Sequence, residues 1–344
     1  DQNQTARVLG THRVDDFSGV EPEHPDCLAV IWPVEAEARA SSSSRENQNL
    51  PLFLEEAAVT GVAVGPWHGK ANELSREHGV HWDVIDQVAE ASWKTSLEHP
   101  IVSLAGTPIV PPGTLHASRT TDDAAAIIRQ RRSAVSFDGR TSISAATFFH
   151  ILQRVMPRAE RPQAQRPMPW DVLSWDPAVH LMLFVHRVEG LEAGLYMLAR
   201  DPNKLPFLQQ SMNPELEWTP APGCPEDLPL FWLLQGNAQR LAAQVSCQQT
   251  IAGDSAFSLG MLAEFEGRLR QGGAWWYPRL FWETGLLGQV LYLEAEAAGV
   301  RGTGIGCFFD DPVHEVVGIK DLSIQSLYHF TVGGPVDDRR LMTL

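Results

Sequence analysis

Between Arg279 and Phe309 the chain reads RLFWETGLLGQVLYLEAEAAGVRGTGIGCFF, and its apolar residues fall at helical spacing along two adjacent stripes. One stripe is Leu280, Leu287, Leu291 and Ala298; the other is Leu286, Val290, Leu293 and Ala297. A surface helix needs only one stripe, so the pair predicts a helix covered around most of its circumference. Gly285 and Gly288 each cost about 1 kcal/mol against alanine in a helix interior, a loss explained if another backbone or a flat ligand approaches there. Gly299 supplies a left-handed stop. The following GTGIGCFF predicts a glycine-rich turn and a short buried strand.

Elsewhere the pattern is more broken. Residues 51–64 are apolar, and a helix is predicted from Trp82 to Ser96 with Val84, Val88 and Ala91 on one face. A strand is expected at Leu28–Trp32, stopped by Pro33, and a polar loop from Ser41 to Asn49. Pro100, Pro108, Pro111 and Pro112 mark a linker, giving two domains, 1–112 and 113–344. The second opens with TTDDAAAIIRQRR, a helix capped by Thr120 or Thr121 and ending in two arginines. Ser144 caps the next helix, whose inner face is Phe148, Phe149, Leu152 and Val155. Prolines from Pro157 to Pro169 break regular structure.

HLMLFVHRV, residues 180–188, predicts a strand, followed by a turn and a second strand at Leu195–Leu198. Residues 201–229 are proline-rich and expected at the surface. Helices are predicted over 236–246 and 255–270, then a short helix at Pro312–Val317 and a strand at Ser326–Val332. RVLG at 7–10 followed by LAVIWP echoes EVVG at 315–318 followed by SLYHFTVGGP. Such an echo suits either chance or the tail of an upstream copy of the same fold.

Composition narrows the class. The chain has 344 residues, 44% hydrophobic and 20% charged, enough for a substantial core. It contains no uncharged apolar run long enough to span a membrane. A net charge of −15 argues against a nucleic-acid partner, which needs a basic face. Cys27, Cys224, Cys247 and Cys307 lie far apart in sequence without a CxxC pair, which predicts reduced packing residues. With no leader at its start, the chain is expected to be cytoplasmic.

The candidate chemistry is thin until combined. RRSAVSF, residues 131–137, places two guanidinium groups and a hydroxyl together, a donor set that suits phosphate oxygens and equally suits solvated arginines at a helix end. Arg339 and Arg340 form a second basic pair. GTGIG follows a helix rather than a strand, so it fails as a dinucleotide fingerprint. His180 and His186 are expected to pack or face solvent rather than bind metal.

RRSAVSF, VEGLEAGLY, ETGLLGQVLYLEAEAAGV, IGCFFDD and LYHFTVGGPVDDRRL occur in one order, over about Ser118 to Leu344. In that order they resemble the nitroreductase family of FMN flavoproteins, and its SagB-type dehydrogenase branch in particular. The resemblance implies an α+β fold, a mixed sheet wrapped by helices, present as a homodimer or as an internal pseudo-dimer with a tandem copy. It implies FMN as cofactor, NAD(P)H or a substrate as hydride donor, ping-pong kinetics, and a small-molecule or peptide substrate. Arg131, Arg132 and Ser133 match the motif that holds the FMN phosphate and flavin edge; Ile305 and Gly306 match the turn beside the ring; Arg339 and Arg340 match the C-terminal basic residues at the phosphate. No catalytic side chain and no metal ligand is assigned. The chain departs from the family at residues 156–170, MPRAERPQAQRPMPW, which replace a loop rich in serine, asparagine and glycine, and at Val135. Those departures motivate the alternative of a catalytically degenerate flavin-fold scaffold or binding protein.

Overall fold

A computed structural model of the chain describes residues 2–9, 11–12, 55–68, 82–93, 124–158, 166–173 and 175–336. The expected strand at 28–32, the polar loop, the proline linker, the Thr120 or Thr121 cap, Cys27 and the pair Arg339–Arg340 lie outside the described residues. The chain divides into two compact units, Asp1–Ile109 with Gly272–Pro278, and Val110–Gln271 with Arg279–Leu344.

In the first unit the described helices are α1 (Gln2–Leu9), α2 (Glu56–Ala63) and α3 (Asp83–Ser92). Arg7 forms an ion pair with Glu56 and donates to Thr60 Oγ1 at 2.8 Å, and Trp93 Nε1 donates to Asn3 Oδ1 at 3.0 Å. Of the helix predicted over 82–96, Asp83–Ser92 is helical, but among the described residues nothing buries its supposed inner face. Val84 and Val88 are exposed, and no residue of α3 is buried. Of the sequence echo, Arg7–Leu9 closes α1, and Glu315–Val317 likewise closes a helix of the second unit.

The second unit contains α4 (Ala124–Gln130), β1 (Ile143–Ser144), α5 (Ala145–Arg154), β2 (Val179–Val185), β3 (Val188–Glu189), β4 (Gly194–Leu198), α6 (Leu205–Ser211), β5 (Thr219–Pro220), β6 (Leu230–Gln235), α7 (Gln239–Val245), α8 (Thr250–Asp254), β7 (Phe257–Glu264) and α9 (Glu266–Gly272). After it come α10 (Trp276–Ala297, its residues from Arg279 onward in this unit), β8 (Arg301–Ile305), α11 (Asp310–Val317) and β9 (Ile324–Gly333). Seven strands form one sheet in the order β5-β6-β4-β2-β7-β9-β8, and every neighbouring pair is antiparallel. The α+β class is as expected. The parallel pairing within it is confined to the separate two-stranded β1–β3.

Both faces of the sheet are covered. Met182 and Phe184 of β2 point into a core with Leu208, Val245, Ile251 and Val313 from α6, α7, α8 and α11. Leu181 and Leu183 alternate to the other face, where Phe148 of α5 meets Phe257 of β7 at 5.0 Å and Tyr292 of α10 meets Phe330 of β9 at 4.8 Å. Ser144 caps α5 as predicted, accepting from Thr147 N at 3.1 Å, and Phe148, Phe149, Leu152 and Val155 are buried. Gly299 adopts φ +75° after α10.

Two-sided coverage explains the largest error of the sequence reading. Residues 257–264, FSLGMLAE, are not helical; they are the strand β7 near the middle of the sheet, buried at every position. Such a strand loses the polar alternation that would identify it. The stretch 201–229 is also not simply surface, since α6 inserts Leu208 into the core. GTGIG is not a turn but lies mostly within β8, and its glycines answer to aromatic rings. A Cβ at Gly302 would come 2.6 Å from Phe330 Cζ, and one at Gly304 would come 2.2 Å from the Tyr328 hydroxyl.

Along α10, Leu280, Leu287, Leu291 and Val290 are buried, whereas Phe281, Gly285 and Gln289 are exposed. A Cβ at Gly288 would lie 4.0 Å from the Phe330 ring of its own sheet, and one at Gly285 would meet nothing within 4 Å. The same helix buries Glu283, whose carboxylate pairs with the buried Arg200 and accepts from Trp175 Nε1 at 3.2 Å and Ala178 N at 3.1 Å. Arg200 also donates to the carbonyls of Val155 and Val179 and lies 4.7 Å over the Trp170 ring. Trp170, the end of the divergent 156–170 segment, is thus a core residue. Among the described residues no helix is long and apolar enough to cross a membrane.

Candidate functional site

The site grows from the far edge of the sheet. After α4 the chain runs extended beside β8: Ala134 N donates to Gly302 O at 3.2 Å, and Thr303 Oγ1 donates to Ala134 O at 2.7 Å. Beyond β9 the chain returns to the same loop, with Asp138 N donating to Gly334 O and Val336 N to Ser136 O, both at 3.0 Å. The arginine-rich loop is therefore held between the edge strand and the end of the described chain. This is a tertiary arrangement of segments far apart in sequence.

Tyr292 of α10 joins the two halves. Its hydroxyl is 2.9 Å from Ser133 Oγ and accepts from Gly304 N at 2.8 Å, and its ring lies 4.8 Å from the Arg131 guanidinium carbon. The Tyr328 hydroxyl of β9 fills the space where a Gly304 Cβ would stand. Burial, with Tyr292 nearby, raises the Tyr328 pKa above the ordinary phenol value.

Of the residues predicted from sequence, Arg131 and Ser133 are brought to β8 as described, and Arg132 sits beside them. Through Nη1, Arg132 donates to the carbonyls of Arg129 and Arg131 at 2.8 Å each, so it caps the end of α4. The Ile305 side chain is buried in the core, and the residue pairs with His329 at the end of β8. Gly306 is exposed, and a Cβ there would meet only Tyr328, at 3.9 Å. Arg339 and Arg340 fall outside the described residues.

The turn after β8 docks on the end of α7. Phe309 N donates to Val245 O at 2.8 Å, and Phe308 stacks on the buried His329 at 4.5 Å between ring centroids. His329 lies near two serine hydroxyls, Ser246 at 3.1 Å and Ser326 at 3.3 Å, and burial pushes its pKa down to about 4. A cleft of about 490 Å³ beside this turn is lined by residues including Leu241, Gln248, Phe309 and Val316.

Sequence reasoning missed Tyr292 and Tyr328. The available signal was a tyrosine on an otherwise apolar helix, whose hydroxyl needs a polar partner once covered. It also misjudged the cysteines. Cys224 packs as expected, its thiol reaching Leu228 O at 3.4 Å, but Cys247 and Cys307 are brought side by side and are accessible to solvent. His180 and His186 are packed: the first accepts from Arg200 N at 3.2 Å, and the second lies 3.1 Å from Ala252 O with its pKa lowered by burial to about 4. Among the described residues no three potential ligand side chains converge on a metal position.

No family model matches the chain, and no curated protein matches it. Solved structures to which it is similar are nitroreductase-family proteins. One from Anabaena variabilis, assigned as a nitroreductase, is 23% identical with a TM-score of 0.46, over 62% of this chain and 38% of that one. The chain thus spans well under half the length of that relative. The E. coli microcin synthetase McbBCD complex gives 17% identity and a TM-score of 0.44, over 74% of this chain and 92% of that one. The NADPH:FMN oxidoreductase of Vibrio harveyi gives 13% and 0.38, over 65% and 80%.

Proposed function

We propose that this chain is an FMN-dependent oxidoreductase of the nitroreductase type, on the SagB-type dehydrogenase side of that family. The observation that carries the reading is the seating of the Arg131–Ser133 loop along β8, with Ser133 joined through Tyr292 to Gly304. Two motif halves that resemble the family's phosphate and ring segments are thereby neighbours in space. The donor set suits the cofactor: two guanidinium groups and a hydroxyl match phosphate oxygens. The open space at Gly306 leaves room for a flat ring against the backbone.

Arg131, Arg132 and Ser133 would hold the phosphate, and Arg339 and Arg340 would add positive charge. Ile305 and Gly306 would present their backbone to the ring. FMN, when bound, supplies the hydride chemistry, and the protein supplies orientation and electrostatics. NAD(P)H or a substrate as donor, followed by an acceptor on the same face, fits ping-pong kinetics. Both a small molecule and a modified peptide suit such a site as substrate. We propose further that the complete site forms in a homodimer or against a second, tandem copy.

A second reading, a degenerate scaffold or binding protein, draws support from Arg132, whose guanidinium serves its own helix end. One experiment separates the two. Purified full-length protein is expected to be yellow, or to take up added FMN, and to release FMN on denaturation. Colourless protein that takes up no FMN overturns the first reading and leaves the second.

A further inference from the structure

We propose that Cys247 and Cys307 are a reversible redox site that closes to an intramolecular disulfide between the end of α7 and the turn after β8.

The geometry begins with the backbone. Phe309 N donates to Val245 O at 2.8 Å, and the Gln249 side chain donates to Cys307 O at 3.0 Å. These two bonds, made by residues on either side of Cys247, tie its segment to Cys307 and Phe309. Cys247, between Val245 and Gln249, is thereby held beside the segment that carries Cys307, and Cys307 acts on the titration of Cys247. Disulfides form only between cysteines held this way, with their backbones close and their side chains converging.

Cys247 has φ +58° and Gln248 has φ +62°, two consecutive side-chain-bearing residues in the left-handed region. That conformation is disfavoured for both and persists only where the surroundings impose it, a pattern concentrated at functional sites. Here it turns the chain sharply after α7, at the point where Cys247 faces the partner segment. Exposure completes the case: Cys307 is exposed and Cys247 partly so, which lets an oxidant reach them. Cys224 has its thiol held by Leu228 O and its pKa raised by burial to about 11, whereas the Cys247 pKa is raised first by Cys307 beside it.

With hydrogen peroxide as oxidant, the more exposed Cys307 gives its proton to solvent and attacks one peroxide oxygen. The O–O bond breaks, Cys307 becomes a sulfenic acid, and the departing hydroxide takes up a proton to leave as water. The Cys247 sulfur then attacks the Cys307 sulfur, the S–S bond forms, the S–O bond breaks, and a second water leaves with the Cys247 proton. Two thiols lose two electrons, and the peroxide accepts them. An external dithiol reverses the process by exchange. Closure would tether the Gly306–Phe309 turn to α7; the bond itself is independent of flavin binding.

The test uses the reduced full-length chain, treated with equimolar hydrogen peroxide, alkylated, digested without reductant and mapped by mass spectrometry. The expected result is loss of two thiols per chain, a cross-linked peptide pair containing Cys247 and Cys307, and recovery of both thiols with dithiothreitol. A chain carrying Cys27→Ser and Cys224→Ser should behave the same way. In Cys247→Ser, Cys307 should instead stop as a sulfenic acid that dimedone traps. Three results would overturn the proposal: Cys307 oxidised to a sulfenic acid that persists while Cys247 in the wild type remains free to alkylate, a bridge involving Cys27 or Cys224, or bridges formed only between chains.

Discussion

The Tyr292 hydroxyl lies 2.9 Å from Ser133 Oγ, joining residues 159 positions apart, and accepts the Gly304 amide at 2.8 Å. A single helix side chain therefore fixes both the arginine loop and the edge strand. Tyr292→Phe keeps the ring under Arg131 but removes both bonds. The expected cost is about 1 kcal/mol of stability, read from urea unfolding. If FMN binds at this edge, its affinity should fall several-fold in a fluorescence titration. Lower stability with unchanged FMN affinity would make Tyr292 a structural strut and nothing more.

The buried pair Arg200–Glu283 places two charges in the core, and each has further hydrogen-bond partners, although Arg200 Nη2 has none. Removing one partner strands the other in an apolar setting. Glu283→Ala should cost about 3–5 kcal/mol, and Arg200→Met a similar amount. Adding the second substitution should cost much less than the first, because the stranded charge is then gone. Urea midpoints of the two single variants and the double variant would expose the coupling; strictly additive losses would contradict it.

How far these features were legible depends on what each segment is packed against. The α5 cap at Ser144 and its inner face follow from local sequence, because one side of that helix is buried and the cap bond spans three residues. Gly299 follows for the same local reason. Strand β7 does not: with both faces buried, its eight residues carry no period that separates strand from helix. The apolar residues Val84 and Val88 on α3 predict a face but cannot say what covers it. Glu283 offered a clue, as a lone acid between Leu280 and Leu287 on a buried stripe, but its partner Arg200 is set by the sheet. The Cys247–Cys307 pair and the two tyrosines are neighbours only through folding, so spacing rules could not find them.

His329 carries a pH prediction. Its folded pKa of about 4 lies below the ordinary 6.5, because burial disfavours the charged ring. The unfolded chain therefore binds more protons between those values, and stability rises with pH across that window. The contribution is complete above about pH 6.5 and is lost as pH falls toward 4. Its size is on the order of 3 kcal/mol. His186, with a pKa also near 4 from burial, acts in the same direction. Urea midpoints for wild type and His329→Gln at neutral and acid pH should converge as pH falls. A wild-type midpoint that did not drop any further than that of the variant would remove His329 from the account.

Gly285 and Gly288 occupy the same helix in different surroundings, and that difference tests assembly. A Cβ at Gly288 would lie 4.0 Å from the Phe330 ring, so alanine fits there but leucine must displace the ring. Gly288→Leu should cost about 1–3 kcal/mol through overpacking of the chain's own core. Gly285 faces open space within its own chain, beside the exposed Phe281 and Gln289. If that side of α10 meets only water, Gly285→Ala should stabilise the chain by about 0.5–1 kcal/mol, the ordinary gain from replacing glycine in a helix. If α10 instead packs against a second copy, as the proposed dimer requires, a larger side chain should clash at the interface. Gly285→Leu would then weaken assembly and lower FMN retention together, while leaving the secondary structure intact. An obligate interface of this kind buries more than about 2,000 Å² and is largely apolar, so the effect on mass by light scattering should be plain. Wild-type protein that binds FMN as a monomer, with Gly285→Leu binding it equally well, would rule out pairing through this helix.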